Sequence, residues 1–169
     1  MKNKIIALSA LLVLFAMHSF AQETATATAT ATIVTPISII KTVDMNFGNV
    51  AVQSTTGGTA ILAPDGTRSA TGGVTLPVTP GTVTAASFTV NGQGTYTYAI
   101  TLPSTAVNLS NGASQTMTVT AFTSTPSGTG ALTAGTQTLN VGATLNVGAA
   151  QTAGVYVSVT PFNVTVNYN

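Results

Sequence analysis

Apolar and polar residues alternate with period two along most of this chain. Residues 25–33 alternate Ala and Thr and end on Ile33. Pro36 interrupts, then Ile37 and Ile39 resume the apolar face. Ala86, Phe88 and Val90 share one side of a strand, as do Tyr96, Tyr98, Ile100 and Leu102. Asn91-Gly92-Gln93-Gly94 lies between these two runs and predicts a hairpin. Asn111-Gly112 turns the chain into Met117, Val119 and Ala121, which fall on one face. Leu139, Val141, Ala143, Leu145 and Val147 alternate through a longer strand. Residues 154–159 and 162–168 read as a last strand pair, with Phe162, Val164, Val166 and Tyr168 pointing one way.

Turn residues punctuate these runs. Pro64-Asp65-Gly66 separates residues 58–62 from 68–71 and is a strong turn signal. Asn46-Phe47-Gly48-Asn49-Val50 reads as a short strand with a bend, and Gly57-Gly58 and Gly72-Gly73 as loop glycines. Past residue 21 no window keeps a 3.6-residue period, and the abundant Thr, Val, Gly and Asn are poor helix formers. Many short strands at regular spacing predict an all-β fold, an immunoglobulin-like β-sandwich. A small closed β-barrel is the alternative. The strands lack the aromatic girdles of an outer-membrane barrel.

The first residues break the pattern. Lys2 and Lys4 precede an uncharged apolar run over residues 5–17, and Ser19-Phe20-Ala21 supplies small residues for a cut after Ala21. Residues 1–21 are expected to be a signal peptide, since the run is shorter than the roughly 20 residues a membrane span needs. The product is expected to be exported, to the periplasm, the cell surface or the medium, with no integral membrane segment after cleavage. Its domains are then residues 22–40, an extended Thr/Ala-rich strand, and residues 41–169, the sandwich.

Cleavage also removes His18, the only histidine, and the chain has no Cys. What remains is Lys41 and Arg68 against Glu23, Asp44 and Asp65, a net charge of −1. A basic footprint for nucleic acid is excluded. A Ser-His-Asp arrangement and a His/Cys zinc site are impossible. A carboxylate pair would have to come from Asp44 and Asp65, each beside a turn where Asp ordinarily caps the chain. No enzyme activity, cofactor or metal is therefore expected; the remaining possibility is calcium held by Asp44 or Asp65 with carbonyls.

Two resemblances add to this reading. Ala31-Thr32-Ile33-Val34-Thr35-Pro36-Ile37, Met45-Asn46-Phe47-Gly48, Leu62-Ala63-Pro64-Asp65-Gly66-Thr67-Arg68, Tyr96-Thr97-Tyr98-Ala99-Ile100 and Val164-Thr165-Val166-Asn167-Tyr168-Asn169 are similar to DUF4402, a domain-of-unknown-function family of secreted bacterial β domains. That family carries no established activity. The chain ends resemble chaperone–usher fimbrial subunits, through the alternating last strand, Tyr168 next to the end and Gly154 fourteen residues before it. Phe47-Gly48 after a Thr-rich first strand is similar to pilins of disulfide-free branches.

The fimbrial resemblance implies a pilin-like subunit that partners with copies of itself by strand exchange and with a periplasmic chaperone. It implies assembly roles for Ile33, Ile37, Ile39, Gly154, Phe162, Val164, Val166 and Tyr168, with residues 23–33 as the donor strand. Ala25, Ala27, Ala29 and Ala31 are small for that role. The alternative function is a stand-alone secreted sandwich that binds a carbohydrate or other surface ligand, which would need exposed aromatics or convergent polar groups.

Overall fold

The computed structural model describes residues 22–169; the expected signal segment lies outside the described residues. The chain divides after Ile33. Residues 22–33 enter no strand and are exposed, Ile33 at 92%. The strand expected from their Ala/Thr alternation is therefore not formed. An alanine face buries little area, and these residues have no ladder partner among the described residues.

From Val34 onward the described residues are all-β with no helix. Thirteen strands follow in order: β1 (Ser38–Val43), β2 (Ala51–Val52), β3 (Gly58–Leu62), β4 (Arg68–Gly72), β5 (Val74–Thr75), β6 (Ala86–Asn91), β7 (Thr97–Thr101), β8 (Val107–Ser110), β9 (Thr116–Thr125), β10 (Thr129–Ala131), β11 (Thr136–Val147), β12 (Val157–Ser158) and β13 (Thr165–Tyr168). An eight-stranded sheet runs β1-β6-β11-β9-β8-β12, with β3 on β11 and β4 on β3. A three-stranded sheet runs β10-β7-β13, and β2 pairs β5. All pairings are antiparallel.

The curled sheets form a half-barrel, a sandwich that does not close. The closed-barrel alternative fails because β12 and β4 are left as edges and β1 and β13 share no ladder. β1 begins at Ser38 and pairs with β6, and Ile37 and Ile39 pack on the core, so residues 37–40 belong to the body rather than to the extended segment.

β11 organises the fold. Its first half pairs with β6, its second half with β3, and its other edge with β9. Its apolar positions serve two cores in turn. Leu139 and Val141 pack with Phe88, Val90, Tyr98 and Val166. Ala143, Leu145 and Val147 pack with Phe47, Leu62, Val74 and Val119.

Three local expectations change. The run at 86–90 and the run at 97–101 do not form a hairpin: β6 pairs with β1 and β11, and β7 with β10 and β13. Their apolar faces meet across a core instead, so the turn between them is an arch from one sheet to the other. Ala121 does not share the face of Met117 and Val119. A bulge opposite Ala143 places Ala121 at φ 50°, exposed, and reverses the alternation so that Phe122 and Ser124 turn inward. β12 pairs with β8, not with β13.

The turns at Pro64-Asp65-Gly66 and Asn111-Gly112 do join hairpins, β3–β4 and β8–β9. At the base of the first hairpin Gly58 opposes Gly72, and a Cβ on Gly72 would approach the Gly57 carbonyl oxygen to 2.7 Å. The paired glycines are a close backbone crossing rather than free loop.

A candidate docking groove on the open half of the sandwich

The three-stranded sheet covers only the core beneath Phe88 and Leu139. Over the other half, the concave face of the large sheet is the floor of an open groove of about 1150 Å³. Val107 and Leu109 of β8, Met117 and Val119 of β9, and Leu145 and Val147 of β11 form that floor. They lie there because their strands alternate apolar inward and polar outward.

One wall is residues 41–52, which run from the end of β1 to β2 through residues 44–50, a stretch in no strand. Hydrogen bonds to a facing loop hold it. Asn46 and Thr84 exchange N–H···O bonds at 2.8 and 3.0 Å, and the Asn49 N–H donates to the Pro80 carbonyl at 2.6 Å. The Asn46 side-chain oxygen accepts the Gly48 N–H at 2.8 Å. Gly48 takes φ 67°, and a Cβ there would run into the Pro80 carbonyl oxygen and the Val83 side chain, with the Arg68 guanidinium next at 3.0 Å. Arg68 packs beside this bend, donating to the carbonyls of Phe47 and Asn49, the latter at 3.0 Å. Met45-Asn46-Phe47-Gly48 and the Pro64-Asp65-Gly66-Thr67-Arg68 turn are thus one physical unit. The expected short strand over residues 46–50 is a strapped bend, with Phe47 buried in the core.

The other wall is residues 151–158. The Gln151 amide donates to the Tyr156 hydroxyl at 2.8 Å and to the Thr116 carbonyl at 3.3 Å, and the Tyr156 hydroxyl donates to the Thr152 carbonyl at 2.7 Å. These bonds curl the segment and lead it into β12. Val155, Val157 and Val159 stand exposed along it, at 82%, 64% and 67%.

Charge is sparse around the groove. Lys41 and Asp44 pair at 2.6 Å on its rim, both largely exposed, a contact worth about 0–1 kcal/mol. Asp65 lies in the β3–β4 turn, where its carboxylate accepts the Thr67 side-chain hydroxyl and backbone N–H, and these bonds hold its pKa below the ordinary value. Asp44 and Asp65 are each committed to a local partner, and among the described residues no three carboxylate, His or Cys groups converge to hold a metal.

The assembly residues read from the sequence separate into three places. Ile33 is exposed and outside every strand. Ile37, Ile39, Val164, Val166 and Tyr168 pack around the Tyr98 core, so the two isoleucines serve their own sandwich. Phe162 lines the groove and sits 5.0 Å from Phe122, ring centre to ring centre. Gly154 lines the groove too, from the loop before β12. Sequence reasoning missed Arg68 and the valines of the β12 segment. Arg68 had one signal, its isolation as the only arginine of the chain.

The family model described as Domain of unknown function (DUF4402) matches residues 37–168. No curated protein and no solved structure matches the chain.

Proposed function

The chain belongs to the DUF4402 family, and from that footing we propose that it is an exported, non-enzymatic structural subunit of a bacterial surface filament or assembly. Its groove accepts an extended segment of a second copy, residues 22–33. The observation that supports this most is the groove's apolar floor, where Val107, Leu109 and Met117 are only partly buried beside the buried Val119, Leu145 and Val147. Partly open apolar surface, continued by the exposed Val155, Val157 and Val159 on the wall, marks a site of association. The family match starts at Ile37, so residues 22–33 lie outside the domain as well as outside every strand. Alanines on one side of that segment suit a groove already narrowed by Phe47 and Phe162. Head-to-tail insertion does not close on itself, so it builds a filament.

The test is self-association. The protein is expected to sediment as concentration-dependent oligomers, and deletion of residues 22–33 to leave a folded monomer. A synthetic peptide of residues 22–35 is expected to raise that monomer's melting temperature, since a ligand of the folded state stabilises it by mass action. Intact protein that stays monomeric at high concentration, together with a peptide that changes nothing, refutes the reading.

A further inference from the structure

We propose that the incoming segment pairs main chain to main chain with the free edge of β12, and not with β13. This rests on the groove reading above and assigns the edge at which it operates.

β12 ends the large sheet and pairs only with β8. Val157 opposes Ser110, Ser158 opposes Leu109, and the Val159 N–H donates to the Asn108 carbonyl at 2.9 Å. In an antiparallel ladder the backbone groups of alternate residues point to opposite edges. Val157 and Val159 therefore turn theirs toward β8, while Tyr156, Ser158 and Thr160 turn theirs outward. Tyr156 and Ser158 also line the groove. The neighbouring Val155, Val157 and Val159 side chains are mostly exposed, with no charge among them. An unprotected apolar edge of this kind is a template for a further strand.

β13 offers no comparable edge. Its free side faces β1, and the Tyr168 hydroxyl bridges to the Gln93 N–H at 2.6 Å and the Thr35 carbonyl at 2.8 Å. A strand entering there must break both bonds. Residues 22–33 suit β12 instead: they carry one charge, Glu23, and alternate small apolar and hydroxyl side chains through residues 25–32. Added to β12, such a strand turns its alanines to the floor and its threonines to water.

Hydrogen exchange read by NMR tests the assignment, with isotope-labelled protein at dilute concentration and an excess of unlabelled peptide of residues 22–35. The amides of Tyr156, Ser158 and Thr160 are expected to exchange at least about tenfold more slowly when the peptide is bound. Val157→Lys places a charge on an exposed edge side chain. It is expected to weaken peptide binding about tenfold with the melting temperature of the free protein unchanged. Binding that protects Val166 and Tyr168, or protects neither edge, overturns the assignment alone. Equal binding by Val157→Lys also overturns it. Absence of any binding overturns both this inference and the filament reading.

Discussion

The Tyr168 hydroxyl donates to the Thr35 carbonyl at 2.8 Å, joining the last strand to the point where the chain enters the body. The same oxygen accepts the Gln93 N–H at 2.6 Å, so one hydroxyl ties together three stretches of chain. Tyr96 steadies the ring from its edge, 5.6 Å away between centroids. Gly92 leaves room for it: a Cβ there would run into the hydroxyl.

Removing only that oxygen separates the bridge from the packing. Tyr168→Phe is expected to lower stability by about 1–2 kcal/mol, the worth of a pair of hydrogen bonds. Tyr168→Ala also loses the ring and is expected to cost about 3 kcal/mol. Urea titrations of the two variants measure both values. Equal stability of wild type and Tyr168→Phe would show that water replaces the bridge without cost.

The Arg68 strap predicts a second pair of effects. Arg68→Gln is expected to cost about 1–3 kcal/mol, because the carbonyls of Phe47 and Asn49 lose a charged donor. Gly48→Ala meets the positive φ, the Pro80 carbonyl and Val83 as well as the guanidinium, and is expected to cost about 1–3 kcal/mol. Thermal melts check each variant. Their effects on one wall should fall short of additivity in the double variant.

Two groups carry pKa values shifted by the fold. Asp65 has a folded-state pKa below its ordinary 3.8, the Thr67 side-chain hydrogen bond being the main cause. Its contribution is complete above 3.8 and is lost as pH falls through the folded value. Tyr98 is raised above its ordinary 10.0 by burial. Its contribution is complete below 10.0 and is lost as pH rises through the folded value. Stability curves against pH should therefore flatten on the acid side in Asp65→Asn and on the alkaline side in Tyr98→Phe.

Gly130 opposes Tyr98 across the β10–β7 ladder, and a Cβ there would enter the Tyr98 ring. The ring is fully buried, and its hydroxyl is held at 2.7 Å by Gln137, which also accepts the Ala131 N–H. It has nowhere to move. Gly130→Ala is expected to cost about 1–3 kcal/mol by overpacking, read from the denaturation midpoint.

What the sequence revealed followed the range of the interactions. Local ones were legible. The alternation of Leu139, Val141, Ala143, Leu145 and Val147 matches the buried side of β11, and the turn at Pro64-Asp65-Gly66 joins neighbouring strands. Choice of partner was not legible. Asn91-Gly92-Gln93-Gly94 marks a reversal, but nothing local says that both edges of β6 are taken by β1 and β11. The bulge at Ala121 was hidden for the same reason, since a period-two reading carries no sign of a reversal in phase. The groove had no signature, because Val107, Leu109 and Met117 alternate like ordinary core positions and only the fold leaves them half-buried. Ile37 and Ile39 looked free to join a neighbour only while the partner of β1 was unknown.

The position of β11 in the chain has a consequence for the order of synthesis. This strand supplies a ladder partner to β3, β6 and β9, all made before it. Until residues 136–147 emerge, neither core can close, and the earlier strands present bare edges to whatever surrounds them. Local collapse cannot shorten that wait, since pairings distant in sequence form slowly and leave partly folded chains open to aggregation. One edge each of β3, β6 and β9 therefore stays unpaired until β11 arrives to join them.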